Sequence, residues 1–159
     1  MRVGFGLGSN MGDKPANIAR ALAMLEEREV AQLHAVSRIY RTPPWGVLDQ
    51  GDFANACAIG ETSLSPYELL AAVKRIEADM GRAPSRRWGP RLIDVDILFL
   101  GDHTLDDPEL TLPHKELFGR GFVLAPLVEI APDLVLDGVP VKQALTAVDV
   151  AGVRPWDEG

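Results

Sequence analysis

The stretch Leu-Ile-Asp-Val-Asp-Ile-Leu-Phe-Leu, from Leu92 to Leu100, admits few structures. Ile93, Val95, Ile97 and Phe99 recur at a period of two, the mark of a strand with one apolar face. Asp94 and Asp96 then project together from the other face, beside Leu92, Leu98 and Leu100. Two strand rises put the carboxylates about 6.5 Å apart, where they repel by roughly 2.5 kcal/mol at an effective dielectric of about 20. In open water, at a dielectric of about 80, the repulsion falls to about 0.6 kcal/mol. Apolar neighbours on both faces argue for a largely covered strand, so the pair calls for a cation. Paired hard oxygens suit Mg²⁺, which takes one or two carboxylates together with substrate phosphates. An edge strand with inward charges that block aggregation would carry the same Asp-x-Asp. Arg86, Arg87 and Arg91 lie immediately upstream and favour the first reading, because guanidinium groups grip the phosphates that Mg²⁺ brings in.

The 159 residues are read as one domain over 1–150 and a weakly structured tail over 151–159. A hydrophobic content of 47% beside 25% charged residues is that of a soluble globular chain, not a disordered one. No apolar run approaches the ~20 residues of a membrane span, and no signal-peptide pattern follows Met1, so a cytoplasmic location is expected. The single cysteine, Cys57, excludes an internal disulfide and reads as a buried, inert thiol. A net charge of −7 disfavours nucleic acid and acidic membranes as partners. Small-molecule substrates and a monomer are expected, though the sequence does not fix the oligomeric state. An anionic substrate would need a local basic patch, which residues 82–91 supply.

Val3, Phe5 and Leu7 alternate with Gly4, Gly6 and Gly8, a first strand with one face stripped of side chains. Either a helix packs closely there, or a ligand reaches the backbone at Gly8-Ser9-Asn10-Met11-Gly12. Neither G-x-G-x-x-G nor G-x-x-x-x-G-K-[ST] is present, which disfavours a Rossmann enzyme and a P-loop kinase. Asp13 caps a helix that runs to about Arg28, with Pro15 in its first turn. A second strand follows over about Val30 to Tyr40, then a Pro- and Gly-rich loop from Pro43 to Asp52. The third strand, Phe53 to Thr62, puts Phe53, Asn55, Cys57 and Ile59 on one face and Ala54, Ala56 and Ala58 on the other. Ser65, Pro66 and Glu68 open the second helix with a capping box, Leu69, Val73, Ile76 and Met80 form its buried stripe, and Gly81 ends it. Glu77, one turn from that end, opposes the helix dipole and reads as ordinary helix surface. Beyond the Asp-x-Asp strand come a short strand at Leu110–Leu112, a partly helical segment from Arg120 to Pro132, and a short strand and helix over Val139 to Val148.

Strand, helix, strand, strand, helix, strand predicts an α+β chain with a ferredoxin-like βαββαβ core. Its antiparallel sheet would carry helices on one face and the ligand site on the other.

Together these motifs resemble the 6-hydroxymethyl-7,8-dihydropterin pyrophosphokinase family. The matching stretches are Leu7-Gly8-Ser9-Asn10, the S-x-x-Y-x-T-x-P-x-G run from Ser37 to Gly46, Gln50-x-x-Phe53-x-Asn55-Ala56 and Gly81-Arg82. Arg87-Trp88-Gly89-Pro90-Arg91, Asp94-x-Asp96, Pro113-His114 and the Arg120–Pro132 segment continue the match in order. The resemblance implies transfer of pyrophosphate from ATP to the pterin hydroxymethyl group, with release of AMP, in folate biosynthesis. It implies that Asp94 and Asp96 hold two Mg²⁺ ions and, with Arg82 and Arg91, form the catalytic set. Glu77, Arg82, Arg87, Trp88, Arg91, His114 and Arg120 would bind ATP, with Glu77 near its sugar. Phe53 and Phe122 would sandwich the pterin, while Asn55 and the Thr42, Pro43 and Trp45 segment read its edge. The sequence departs from the family pattern at Pro84, where an arginine is frequent, and at Lys115, where a proline is. Arg86 is the nearest cation able to take the place of the arginine absent at Pro84. An Asp-x-Asp nucleotidyltransferase and a non-catalytic ferredoxin-like ligand sensor are the competing readings. The first needs a Gly-Ser close to the carboxylates, whereas Gly8-Ser9 lies far upstream in the chain.

Overall fold

The computed structural model describes residues 1–43, 52–81 and 92–156. The chain runs through β1 (Arg2–Ser9), α1 (Lys14–Glu27), β2 (Gln32–Val36), β3 (Tyr40–Thr42), β4 (Phe53–Glu61), α2 (Pro66–Asp79) and β5 (Asp94–Leu100). It continues with β6 (Leu105–Asp106), β7 (Thr111–Leu112), a 3-10 turn at Leu117–Gly119, α3 (Gly121–Ile130), β8 (Val135–Leu136), β9 (Val139–Pro140), α4 (Val141–Thr146) and β10 (Arg154–Pro155). The main sheet is ordered β10-β3-β4-β1-β5, with β2 also paired to β4, and every pairing is antiparallel.

Both long helices begin where their caps demand. The Asp13 carboxylate accepts the Ala16 N–H at 3.2 Å. Ser65 and Glu68 exchange reciprocal bonds, with the Ser65 N–H donating to Glu68 Oε1 at 2.9 Å. Met80 is the last residue of the second cap, and Gly81 takes a φ of 91°, a conformation glycine adopts without strain. The helices α1 and α2 lie over one face of the sheet. There Ile18, Leu25, Leu69, Val73 and Ile76 pack with Val3, Phe5, Leu7, Val95 and Ile97. Ala54, Ala56 and Ala58 of β4 belong to this core, as their small size predicted.

Four details differ from the sequence-based expectation. The opposite face is not free of helices: α3 and α4 cover half of it, burying Leu124, Leu127 and Val141 against Cys57, Ile59, Leu98 and Phe99. The Asp-x-Asp strand does not alternate to its end. Opposite β1 the register jumps from Ile97 to Phe99, so Leu98 is a bulge residue. Phe99 therefore joins Leu98 in the second core, and Leu100 returns to the first. The expected second strand breaks into β2 and β3 around Ser37, whose hydroxyl accepts the Cys57 N–H at 2.9 Å. Finally, the tail is bound into the sheet through β10, beside β3.

The glycine face of β1 is filled at one end by a neighbouring side chain, not by a helix. A Cβ on Gly4 would lie 2.3 Å from the Phe99 ring, which is itself 2% exposed. Gly4→Ala is expected to lower stability by about 1–3 kcal/mol through overpacking. Adding Phe99→Leu, which vacates the space, should restore part of the loss. The midpoints of urea unfolding for the single and double variants check both expectations.

Candidate active site

The register of the sheet brings distant parts of the chain into two rows on the face opposite α1 and α2. One row is Tyr40, Asn55, Gly8 and Asp94; the next is Cys57, Gly6 and Asp96. Directly paired residues of an antiparallel sheet share a face, so Asn55 and Asp94 flank the bare backbone of Gly8. Two strand spacings, about 9.5 Å, separate them. A Cβ on Gly8 would stand 3.1 Å from Asn55 Oδ1, so the glycine also gives the amide its room.

Asn55 is buried and its Nδ2 donates to Thr42 Oγ1 at 2.8 Å, which orients the amide. Thr42 pairs with Phe53 in the next row, and Phe53 is half-buried at the mouth of this face. Phe122, at the start of α3, is half-buried against the second core, with the Arg120 guanidinium 5.5 Å from its ring. Arg120 is also ion-paired with Glu116. Pro43, exposed, follows Thr42.

Asp94 and Asp96 are both half-buried, and Ile93, Val95 and Ile97 between and beside them point into the first core. The two carboxylates thus leave the strand on one face, as the alternation required. Among the described residues no group of three or more His, Cys, Asp or Glu side chains could hold a metal by itself. Two carboxylates that leave the rest of the coordination shell to phosphate oxygens and water match what Mg²⁺ accepts.

Glu77 is not ordinary helix surface. It is 2% exposed, and its Oε2 accepts the Val95 N–H at 2.8 Å. Lys74 Nζ lies 3.4 Å from the other oxygen. A carboxylate from α2 therefore satisfies an amide on the open edge of β5, between the two aspartates. The same edge borders a cleft of about 170 Å³ lined by Leu70, Val73 and Lys74 of α2, by Val95, Asp96 and Ile97, and by residues 108–111 with His114 and Lys115.

His114 is fixed by its backbone N–H, which donates to Leu98 O at 2.8 Å, and by its Nδ1, which accepts the Glu116 N–H at 3.2 Å. Nε2 is then the N–H of a neutral imidazole, a donor. Burial holds its pKa below the usual histidine value, against the opposing pull of Asp96. Cys57, buried beneath α3, has its thiol pKa pushed up by burial and by the charges of Glu129 and Asp96, which fits an inert role. Ser9 is fully buried, accepts from Asn17 Nδ2 at 3.1 Å, and lies on the face of Ala54, away from the aspartates. Gly8 does stand beside Asp94, but the hydroxyl that a nucleotidyltransferase Gly-Ser would offer is turned to the other side.

Trp45, Arg82, Arg86, Arg87, Trp88 and Arg91 lie outside the described residues. Tyr40 and Glu129 were not singled out from the sequence as site residues. The Tyr40 hydroxyl donates to Glu129, which also accepts the Arg38 N–H at 2.9 Å, tying α3 to the sheet. Partial burial alone would raise the Glu129 pKa; the bonds from Tyr40 and Arg38 hold it below the usual value. The spacing of Ser37, Tyr40 and Thr42 marked that segment, but a partner from a helix far along the chain left no local trace.

Residues 4–132 match the family model described as 7,8-dihydro-6-hydroxymethylpterin-pyrophosphokinase. Over 153 residues the chain is 47% identical to the 2-amino-4-hydroxy-6-hydroxymethyldihydropteridine pyrophosphokinase of Methylorubrum extorquens, covering 96% of this chain and 97% of the relative. The protein of the same name in Pseudomonas aeruginosa is 42% identical over 154 residues, covering 96% and 95%. The fold is similar to the crystal structure of Plasmodium falciparum HPPK-DHPS wild type with pteroate, with a TM-score of 0.73 at 15% identity. That similarity covers 92% of this chain and 42% of the longer one. An antiparallel sheet with four helices among the described residues, the Asp94–Asp96 pair facing Asn55 across glycines, and two relatives above 40% identity over nearly the whole chain lead to one conclusion: this chain belongs to the 7,8-dihydro-6-hydroxymethylpterin-pyrophosphokinase family.

Proposed function

We propose that this chain transfers pyrophosphate from ATP to the hydroxymethyl oxygen of 6-hydroxymethyl-7,8-dihydropterin, releasing AMP, as a step of folate biosynthesis. The observation that carries this reading is the shared face on which Asp94 and Asp96 stand across Gly8 and Gly6 from the Asn55–Thr42 pair and Phe53. The order β5-β1-β4 followed by β2 and β3, antiparallel throughout, supports the ferredoxin-like description of the core.

In the reaction the hydroxymethyl oxygen forms a bond to the β-phosphorus and gives up its proton to solvent, the bond from that phosphorus to the α,β-bridging oxygen breaks, and AMP carries the bridging oxygen away. No covalent nucleophile is required, so the protein's work is alignment and charge stabilisation. Phe53 and Phe122 stack on the pterin ring, while Asn55 and the backbone from Thr42 read its amide-like edge by directed hydrogen bonds. Asp94 and Asp96 would hold Mg²⁺, which when bound neutralises phosphate charge and polarises the transferring group. The cleft beside β5 takes the nucleotide, where the His114 Nε2–H and Arg120 face phosphate oxygens as donors. Arg82, Arg87, Trp88 and Arg91 complete the ATP contacts on the same reading. Glu77, whose carboxylate is already engaged by Val95, fixes the strand that carries the aspartates and borders the nucleotide cleft.

Incubation with Mg-ATP and the reduced pterin alcohol should yield AMP and the pterin diphosphate; release of ADP or of inorganic pyrophosphate would refute the reaction. Asp96→Asn is expected to lower turnover by roughly 10³-fold while leaving pterin affinity little changed, because the metals act on charge that develops during transfer. Single-turnover kinetics and a pterin titration separate the two effects. The converse holds for Phe53→Ala. Pterin binding should weaken by roughly 1–3 kcal/mol, the scale of a lost aromatic stack and its buried area. ATP affinity without pterin should stay unchanged, and unfolding in mild denaturant would instead make Phe53 a core residue.

A further inference from the structure

Arg154 to Trp156 are built into the sheet beside the pterin half of the proposed site. Arg154 and Pro155 pair with Arg41 and Tyr40, and the Trp156 N–H donates to Ile39 O at 2.8 Å. The indole packs on the first core, and the Arg41 guanidinium lies 3.9 Å from its ring centroid. That guanidinium also pairs with Asp52 at 3.5 Å. Lys14 Nζ donates to the Asp52 carbonyl at 2.7 Å and lies 5.9 Å from the same ring. The Arg41 Nε is buried with no acceptor among the described residues, so the ring face and Asp52 are what hold the group. These contacts join the tail, the end of β3, the residue before β4 and the start of α1. On the opposite face of the same two strands stand Thr42 and Phe53, paired in register.

We infer that Trp156 is a positioning residue for the pterin pocket: its stack on Arg41 locks the ends of β3 and β4 so that Thr42, Asn55 and Phe53 present one fixed surface. The inference rests on the pterin reading above. β3 is only three residues long and lies between β4 and the two-residue β10, so few ladder bonds hold it. Side-chain ties then decide how well its register is kept. The aspartates and the nucleotide cleft lie beyond β1 and do not share these ties.

Calorimetric titration of the full-length chain tests this with 6-hydroxymethyl-7,8-dihydropterin in the presence of Mg²⁺ and a non-hydrolysable ATP analogue. Trp156→Ala should weaken pterin binding by roughly five-fold or more, the scale of a lost cation–π contact. The analogue titrated alone should stay within about two-fold of the parent, as expected of a site without shared partners. Trp156→Phe, which keeps an aromatic face for Arg41, should regain most of the loss. Unchanged pterin affinity in Trp156→Ala, or equal weakening of both ligands, overturns the inference. If Trp156→Ala does not unfold cooperatively, Arg41→Met carries the same comparison, since it keeps the indole and the strand and removes the stacked charge. A parent chain that binds the analogue but not the pterin would instead refute the pterin reading, and the positioning role with it.

Discussion

The site depends on the register of β1 between β4 and β5. This strand contributes Val3, Phe5 and Leu7 to the first core, and after Arg2 only glycine to the other face. Each glycine weakens a strand by roughly 0.5–1 kcal/mol through lost backbone entropy. Burying each large apolar side chain returns about 1.5–3 kcal/mol, so the strand holds despite its bare face. A slip of one residue would turn Val3, Phe5 and Leu7 out of the core, a far larger cost. The same register that the core enforces sets Asn55 and Asp94 on either side of Gly8. Stability and the placement of Asn55 and Asp94 are thus fixed by one set of ladder bonds.

Electrostatics impose the second constraint. A chain of net charge −7 that carries two aspartates at its site repels anions unless cations are supplied locally. Among the described residues, Lys74 leans on Glu77, Arg120 pairs with Glu116, burial lowers the His114 pKa, and exposed Lys115 lines the cleft. On the proposed reading, Mg²⁺ and the arginine-rich stretch before β5 would add to what Arg120 and Lys115 offer a triphosphate. On that reading, carboxylates and arginines stand close in the chain because each offsets the other's charge around the ligand.

Much of the fold was legible because it rests on local chemistry. The caps at Asp13 and Ser65, the alanine face of β4, the glycine end of α2 and the common face of Asp94 and Asp96 follow from side-chain periodicity and capping alone. The misread features come from partners distant in sequence. Glu77 looks exposed on its helix, and only the packing of α2 against β5 reveals that it meets the Val95 amide. Nothing near Trp156 announces that Arg41 will stack on it. The resemblance assigned roles to residues whose local pattern alone favours blander readings, His114 and Phe53 among them. The arginine stretch, legible as chemistry, lies outside the described residues.

The bulge at Leu98 falls where the candidate site gives way to the second core on one face of the sheet. β4 and β5 both run antiparallel to β1, so they start from the same end of the sheet. On this face each begins with candidate site residues, Phe53 and Asn55 on β4 and Asp94 and Asp96 on β5. Each then becomes apolar, with Cys57 and Ile59 on β4 and Leu98 and Phe99 on β5 meeting α3 and α4. Strict alternation would have sent Phe99 into the first core and left a gap over Gly4. The extra residue turns Phe99 back across that glycine and closes the second core where the open half begins. The fold therefore divides one sheet face into a half sealed by α3 and α4 and a half that carries the candidate site, and the inserted residue lies at the boundary.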